Sequence, residues 1–202
     1  MEYRRLGSSG LKVSALSFGS WVTFVFQLDE STATKCMDYA YNEGVNFFDN
    51  AEAYANGKSE KLMGNIIKNL KWTRDTYILS SKVFFGGEKP TQRGLCKKHI
   101  HDACNAALNR LQLDYLDLFF CHRPDPETPI DESVYAMNDL IKQGKILYWG
   151  TSEWSAQEID YAFHISEKYN LRGPVMEQPQ YNLLYRERFE KEYTPIFKKY
   201  KI

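Results

Sequence analysis

Four polar residues of the sequence carry side chains that together could deliver a proton to a carbonyl oxygen. Asp49, Lys82 and His122 each lie near or just after the end of an apolar run, and Tyr54 follows shortly after Asp49. A lysine is costly to bury without a counter-ion, so Asp49 is the natural partner of Lys82. A buried ammonium beside a phenol favours the phenolate, which makes Tyr54 a better proton donor near neutral pH. His122 could hydrogen-bond the carbonyl oxygen and polarise it.

This chemistry has two requirements that the four side chains do not meet by themselves. They contain no source of hydride, so a cofactor has to supply it if a carbonyl is to be reduced. They are also far apart in the sequence, so the fold has to bring them together. The elements that carry them therefore decide whether the hypothesis holds.

Six apolar runs predict the strands of a parallel sheet. They are rich in aromatic and β-branched residues and nearly continuous rather than alternating, as is typical of parallel strands buried on both faces. The runs are Ala15–Gly19, Val45–Asp49, Tyr77–Val83, Tyr115–Cys121, Ile146–Gly150 and Val175–Gln178. A short hairpin is predicted before them, between Tyr3 and Val13.

Amphipathic helices are predicted between the strands. Apolar residues recur with helical spacing in Ser31–Gly44, Lys97–Leu113 and Asp131–Gln143. Ser155 and Glu158 form a capping box that opens a further helix. The last helix is predicted from about Arg188 to Lys199, with a bend at Pro195.

The alternation of strands and helices predicts an α/β fold, specifically a parallel (β/α) TIM-type barrel. The strand starts are about 30 residues apart, which is the length of a βαβ unit. An open sheet that binds a dinucleotide would carry Gly-x-Gly-x-x-Gly in its first turn, whereas this chain has Phe18-Gly19-Ser20-Trp21 there. A complete barrel takes about 250 residues. We therefore expect residues 1–202 to form one domain with about six of eight βα units, incomplete at the C-terminus.

A barrel would bring the four candidate residues together, because the carboxyl ends of its strands open on one face. Neighbouring strands are about 4.8 Å apart, so Asp49, Lys82 and His122 can converge. The first loop at this face carries the aromatic residues Trp21, Phe24 and Phe26. Two interpretations of these aromatics remain open, packing in the core and contact with a substrate or cofactor.

Composition argues against several other classes of protein. The 26 basic side chains balance 26 acidic ones, which gives no support to nucleic-acid or membrane-surface binding. No apolar run reaches the length of a membrane span, and the N-terminus lacks the features of a signal peptide. The four cysteines form no Cys-x-x-Cys pair and suit a reduced, cytoplasmic protein. His99 and His101 are two apart on a helix and face different directions, so we expect no metal site.

The sequence resembles the aldo-keto reductases, and within them the branch of the voltage-gated potassium channel β subunits with their plant and microbial relatives. The resemblance covers nearly the whole chain. The stretches that carry it are Leu6–Ser14, Gly19–Phe24, Asn46–Tyr54, Arg123–Asp125 and Tyr148–Ser155.

The resemblance implies a barrel that binds NADPH across the mouth formed by the carboxyl ends of its strands. It implies that Tyr54 is the proton donor, that Asp49 and Lys82 tune it, and that His122 orients the carbonyl. It also implies a set of cofactor contacts, which are Ser20, Trp21, Gln27, Asp49, Ser152 and Gln178. The segments that bind the pyrophosphate and the adenosine 2′-phosphate are expected beyond Ile202.

Two residues depart from the animal channel subunits of this branch. Those subunits commonly carry asparagine at the position of His122, so the histidine favours a competent reductase. They carry arginine at the position of Glu153, so we expect no phosphate contact there.

Three functions remain open from the sequence. The first is an NADPH-dependent reductase of small aldehydes or ketones. The second is a regulatory subunit of a potassium channel, with the cofactor as a redox sensor. The third is an inactive, truncated remnant. A homo-oligomer is compatible with each of them.

Overall fold

The chain folds into seven strands and six helices that alternate for most of its length. The computed structural model describes residues 1–202. The strands are β1 (Tyr3–Arg5), β2 (Lys12–Ser14), β3 (Phe18–Gly19), β4 (Phe47–Asp49), β5 (Ile78–Val83), β6 (Leu116–Cys121) and β7 (Ile146–Thr151). The helices are α1 (Glu30–Asn42), α2 (Lys58–Leu70), α3 (Lys97–Leu111), α4 (Ile130–Lys142), α5 (Ala156–Lys168) and α6 (Thr194–Tyr200).

Strands β3 to β7 form one parallel sheet in the order of the sequence, with a helix after each strand. This arrangement confirms the predicted α/β class and is consistent with part of a TIM-type barrel. Strands β1 and β2 form the predicted antiparallel hairpin.

Three predicted strands are shorter by two residues or more than the sequence indicated, and one of them is β4, which begins at Phe47 rather than at Val45. The segment Val175–Gln178 makes a single bridge, between Thr151 and Glu177, rather than a sixth full strand. Pro174 and Pro179 flank the segment, and proline has no N–H to extend a strand ladder. The first parallel strand is reduced to Phe18–Gly19.

The early part of the first predicted strand is diverted by a local hydrogen bond. The hydroxyl of Ser14 donates to the carbonyl oxygen of Leu16 at 2.6 Å, and the Leu16 side chain is exposed. Such a side-chain bond competes with the regular ladder of a sheet. The chain therefore enters the sheet only at Phe18.

The two faces of the sheet bury different side chains. The outer face packs against the helices and contributes to the main core, for example through Phe48, Leu79 and Trp149. A smaller cluster lies on the inner face and is covered by the hairpin; its buried members are Ile78, Leu118, Phe120 and Met176. Because side chains alternate along a strand, Ser80 and Lys82 share the inner face with Ile78.

Helices α1, α3 and α4 begin and end within two residues of the predicted bounds, whereas α2 lies in a segment for which the sequence pattern predicts no helix. The capping box of α5 is present, since Ser155 Oγ accepts from the Glu158 N–H at 3.2 Å and Glu158 Oε2 accepts from the Ser155 N–H at 2.8 Å. The last predicted helix is interrupted. Residues Arg188–Glu192 form a π-type turn, and α6 starts at Thr194 with Pro195 in its first turn, where the missing N–H costs least. None of the helices combines the length and apolarity needed to cross a membrane.

Helices α2 and α3 pack most closely at Gly64. A Cβ placed on Gly64 would lie 2.6 Å from the carbonyl oxygen of Leu111 and 2.8 Å from its Cα. These are backbone atoms, so the contact cannot be relieved by rotating a side chain. This close approach fixes α2, the helix that follows the loop carrying Tyr54.

We predict that Gly64→Ala forces α2 and α3 apart and lowers the free energy of unfolding by about 1–3 kcal/mol. Urea denaturation followed by circular dichroism measures the change. Gly10→Ala is the matched control, because nothing lies within 4 Å of a Cβ placed there. Equal stability of the two variants would contradict the close packing of α2 and α3.

Candidate active site

A buried ion pair lies at the carboxyl edge of the parallel sheet. Lys82 on β5 is 1% exposed, and its Nζ donates to Asp49 Oδ2 at 2.6 Å. The same ammonium donates to the carbonyl oxygen of Asn50 at 2.8 Å and to the hydroxyl oxygen of Tyr54 at 3.1 Å. Three of the four predicted catalytic side chains therefore share one hydrogen-bonded cluster.

The carboxylate of Asp49 is fixed from its other side. Ser80 Oγ donates to Asp49 Oδ1 at 2.6 Å, and Asp49 is paired with Ser80 in the register of β4 and β5. Ser20 Oγ donates to the backbone oxygen of Asp49 at 3.1 Å. Both oxygens of the carboxylate are engaged, so its orientation toward Lys82 is set before any ligand binds.

Tyr54 begins a tight turn in the loop between β4 and α2. Residues Tyr54–Gly57 form a single 3₁₀ turn in which Ala55 and Asn56 have φ of 50° and 53°. The left-handed conformation is unfavourable for alanine, and such strain persists only where the surroundings hold it. The ring of Tyr54 stacks on Trp21 with centroids 6.2 Å apart, and Lys82 Nζ lies 4.8 Å from its centroid. These contacts hold the phenol over the ammonium.

A second layer of polar contacts supports the loop from the helix side of the sheet. Glu60 on α2 is fully buried, and its carboxylate accepts from Ser81 Oγ at 2.6 Å and from Arg110 Nε at 2.5 Å. Glu52 accepts from the Phe84 N–H at 2.7 Å. The residues before and after Tyr54 are thereby attached to β5 and α3.

His122 follows β6 directly and lies beside Tyr54. Its ring packs edge-on against Tyr54 and Phe85, with centroid distances of 5.9 Å and 5.5 Å. Burial lowers the pKa of His122 to about 3, and the positive charges of Lys82 and Arg123 lower it further in the same direction. The imidazole is therefore neutral at physiological pH, so a neutral ring nitrogen is what it offers to a ligand. Its Nδ1 atom is buried and has no hydrogen-bond partner.

A cavity of about 760 Å³ opens above these side chains. Its lining is formed by Trp21, Ala53, Tyr54, Phe85, His122, Arg123, Ser152, Glu153, Gln178, Pro179 and Gln180. This volume suits a small-molecule or cofactor site.

The structure brings three of the six predicted cofactor contacts, Trp21, Ser152 and Gln178, to the lining of this cavity. Ser152 and Gln178 line it side by side, and Ser152 Oγ donates to the backbone oxygen of Gln178 at 2.9 Å. Trp21 lines it as well. Ser20 instead lines the smaller cavity beside Tyr54, and Asp49, whose backbone oxygen accepts from Ser20 Oγ, lines neither cavity. Gln27 is exposed and lines neither this cavity nor the smaller one beside Tyr54.

The site also contains residues that the sequence did not predict, among them Ser80, Phe85 and Arg123. Ser80 could have been found, because it is two positions before Lys82 and shares its face of the strand. Phe85 and Arg123 come from loops, whose course the sequence pattern does not predict. The guanidinium of Arg123 donates to the backbone oxygen of His122 at 2.5 Å and to Ser152 Oγ at 3.4 Å.

The carboxyl group of Glu177, which precedes Gln178, has a pKa far from its ordinary value. Burial raises the pKa of Glu177 to about 7. Its Oε1 accepts from the Glu153 N–H at 2.5 Å, while Oε2 has no partner. Glu177 therefore changes charge near neutral pH immediately beside Gln178.

The two histidines of α3 share no hydrogen-bond partner. His99 is 3% exposed, bonds the carbonyl oxygen of Gly94 through Nδ1 at 2.8 Å, and places Nε2 3.5 Å from a carboxylate oxygen of Glu52. His101 Nε2 is buried without a partner. No cluster of three or more histidine, cysteine, aspartate or glutamate side chains has an arrangement that could hold a metal ion.

Fold and site together define part of an α/β barrel with an acid–base cluster at the carboxyl ends of its strands. The model of the aldo/keto reductase family matches residues 15–202. The chain therefore belongs to the aldo/keto reductase family.

Among its relatives are proteins named "Probable voltage-gated potassium channel subunit beta". The one from Arabidopsis thaliana is 50% identical over 197 residues, which cover 98% of this chain and 60% of the relative. The one from Oryza sativa subsp. japonica is 48% identical over 200 residues, which cover 99% of this chain and 61% of the relative. The chain thus spans about 60% of the length of the curated relatives it matches.

The depressed pKa of His122 predicts a loss of stability in mild acid. The unfolded chain binds a proton at this histidine below a pKa of about 6.5, whereas the folded chain does so only near 3. The linked loss of folding free energy between pH 7 and pH 5 is about 2 kcal/mol. Urea denaturation at both pH values measures it.

The variant His122→Asn serves as the comparison, because its amide does not titrate in this range. We expect the difference in stability between pH 7 and pH 5 to be about 2 kcal/mol smaller in the variant. An identical pH dependence in both proteins would show that His122 is not buried in its neutral form.

Proposed function

We propose that this chain carries the catalytic residues of an NADPH-dependent reductase that converts aldehydes or ketones to alcohols, with Tyr54 as the proton donor. The single observation that carries the proposal is the cluster in which the ammonium of Lys82 lies 2.6 Å from Asp49 and 3.1 Å from the hydroxyl of Tyr54. Membership of the aldo/keto reductase family supports a nicotinamide cofactor.

The lining of the large cavity fits the nicotinamide end of such a cofactor. A carboxamide needs both hydrogen-bond donors and acceptors, and Ser152 and Gln178 offer hydroxyl and amide groups next to each other. Trp21 offers an aromatic face beside Tyr54. When bound, the nicotinamide would supply the hydride to the carbonyl carbon.

Tyr54 would donate the proton that the reduced carbonyl oxygen needs. Its oxygen accepts a hydrogen bond from Lys82, so its own O–H is free to point into the cavity. The positive charge of Lys82 stabilises the phenolate that remains after the transfer. Asp49 keeps that charge in place and compensates the cost of burying it.

His122 would orient the substrate. Its neutral imidazole lines the same cavity as Tyr54, so its ring and the phenol can both approach one carbonyl oxygen. A neutral ring can donate from one nitrogen without competing with Tyr54 as an acid. Orientation and proton donation are then divided between two residues.

We predict that Tyr54→Phe lowers kcat for the reduction of a small aromatic aldehyde by about 10²–10⁴-fold, the usual contribution of a positioned general acid. The dissociation constant of NADPH should change little, because the hydroxyl is bonded to Lys82 rather than to the nicotinamide. Absorbance at the NADPH band and cofactor fluorescence measure the two quantities.

Tyr39→Phe is the matched control for that experiment. Tyr39 lies on α1, is 70% exposed and lines no part of the cavity, so its loss should leave kcat unchanged. Full turnover by Tyr54→Phe would refute the role of Tyr54.

A second candidate function is association with a potassium channel, which is favoured by the names of the relatives. The proposed active site is compatible with this function, because a regulatory subunit could use the same cofactor pocket as a redox sensor.

We predict that the purified protein co-purifies with the cytoplasmic domain of a voltage-gated potassium channel. The variant Lys82→Met, which removes only the buried ammonium, should still co-purify with it. Absence of binding at micromolar concentrations would contradict this second function.

The cytosol is the proposed location. All four cysteines are unpaired, as expected in a reducing compartment. Burial raises the pKa of the Cys104 thiol to about 12, so this thiol is unreactive at neutral pH.

A further inference from the structure

The imidazole of His99 and the carboxylate of Glu52 form a buried pair behind the wall of the large cavity. His99 on α3 is 3% exposed, Glu52 is 7% exposed, and His99 Nε2 lies 3.5 Å from Glu52 Oε2. Ala53, which follows Glu52, lines the cavity, and so does Phe85 from the loop between β5 and α3. A change in the pair therefore reaches two segments of the cavity wall.

The contacts of the imidazole call for a proton on each ring nitrogen. Its Nδ1 lies 2.8 Å from the carbonyl oxygen of Gly94, which can only accept, so Nδ1 carries a proton. A neutral ring would then turn the lone pair of Nε2 toward the carboxylate of Glu52, and two acceptors repel each other. The contact between His99 and Glu52 is attractive only when His99 is protonated.

The surroundings of His99 favour the charged ring. Burial by itself would lower the pKa of His99, but the carboxylate of Glu52 and the carbonyl oxygen of Gly94 outweigh it, and the pKa is raised above its ordinary value. The other charged groups around the pair, with their partners, are Glu60 on α2 with Arg110, Asp102 on α3 with Lys98, Asp139 on α4 with Lys97, Asp125 after β6, and Arg93 in the loop before α3.

The loop that carries Phe85 rests on the pair. A Cβ placed on Gly86 would lie 2.6 Å from His99 Nε2 and 2.9 Å from Glu52 Oε2, so the backbone passes directly over both groups. The same loop is closed by Gly94, whose N–H donates to the carbonyl oxygen of Phe84 at 2.9 Å. The position of Phe85 in the cavity wall therefore depends on the pair beneath it.

Glu52 passes the constraint on to Tyr54. Its Oε1 accepts from the Phe84 N–H at 2.7 Å, and its own N–H donates to the carbonyl oxygen of Lys82 at 3.3 Å. The N–H of Tyr54 donates to the carbonyl oxygen of Ala51 at 3.1 Å, which closes a turn around Glu52. A fixed carboxylate at Glu52 therefore fixes the backbone that presents the phenol.

We propose that His99, in its protonated form, is a positioning residue of the site, which fixes Glu52 and thereby the loop that aims Tyr54 at a bound carbonyl group. The proposal rests on the proposed reductase function and deepens it by naming a group that regulates the same site. When His99 loses its proton, Glu52 loses its donor on α3 and the turn at Tyr54 loosens. The imidazole is charged below its raised pKa and neutral above it, so the loss falls on the alkaline side.

The kinetic test follows the reduction of a small aromatic aldehyde from about pH 6 to about pH 9, a range that spans a histidine pKa above its ordinary value. We expect kcat of the wild-type protein to fall by about 10-fold or more across this range, since a displacement of about 1 Å costs up to about 100-fold in rate. The dissociation constant of NADPH should change little, because the backbones of Ser152 and Gln178 are bonded to β6 and β7 and not to α3.

Two variants of His99 separate a positioning role from a merely structural one. The amide of His99→Gln offers Glu52 a donor that does not titrate, so this variant should lack the alkaline fall in kcat. His99→Leu offers no donor, so its kcat should be low at both ends of the range. His101→Gln is the control on the same helix and should keep the wild-type profile, because His101 Nε2 has no partner.

The comparison of His99→Gln with the wild-type protein decides the kinetic test even if His99→Leu does not fold. An alkaline fall in His99→Gln equal to that of the wild-type protein overturns the proposal. Circular dichroism at each pH shows whether the compared proteins are folded.

A measurement without turnover separates the proposal from the reductase function. NMR follows the titration of the His99 imidazole and the chemical shift of the Phe84 amide, which donates to Glu52. We expect both signals to change with one midpoint in the wild-type protein, and the Phe84 signal to lose this transition in His99→Gln.

If no aldehyde is reduced but the two signals change together, the reductase function fails and the positioning of the loop by His99 stands. A Phe84 signal that does not follow the imidazole overturns the proposal. An imidazole that does not titrate between about pH 6 and about pH 9 overturns it as well.

Discussion

The ammonium of Lys82 is the constraint around which the site is organised. It is 1% exposed, and an ammonium has three protons to donate. The structure provides three acceptors, Asp49, the backbone oxygen of Asn50 and Tyr54. Every donor is satisfied, and only one of the acceptors carries a formal charge. The hydroxyl of Tyr54 thus takes part in keeping the lysine buried.

The parallel sheet makes this cluster geometrically simple. Strands β4 and β5 are neighbours, and their register places Asp49 opposite Ser80, two residues before Lys82 on the same face. The lysine reaches forward along its strand, and the aspartate is turned toward it by Ser80. Tyr54 does not lie on a strand, so the loop after β4 has to place its hydroxyl next to the ammonium of Lys82. The left-handed residues that follow it, together with the buried carboxylate of Glu60 on the helix side, hold that loop in position.

Side chains on strands and side chains on loops differ in how far their positions can be predicted from the sequence. Asp49, Lys82 and Tyr54 could be grouped from the sequence, because strand ends of a parallel sheet converge and a buried lysine requires a carboxylate. The sixth strand was overpredicted, since apolar composition does not reveal how Pro174 and Pro179 limit the ladder. The positions of side chains on loops could not be predicted from the sequence. A periodic pattern contains no information on where an irregular segment turns, which is why the positions of Phe85 and Arg123 became known only from the structure.

The charged residues of the site and the residues with a left-handed backbone lie in different elements of the fold. Asp49, Lys82 and His122 stand on or directly after sheet strands, and none of them has a left-handed backbone. The left-handed non-glycine residues near the cavities lie in three loops, at Val22 and Val25, at Ala55 and Asn56, and at Glu153. Tyr54 lies where one of these loops meets the sheet. A change in the loops can therefore alter the shape of the cavities without disturbing the buried charge, whereas a change at the ion pair removes the ammonium that holds the hydroxyl of Tyr54 in place.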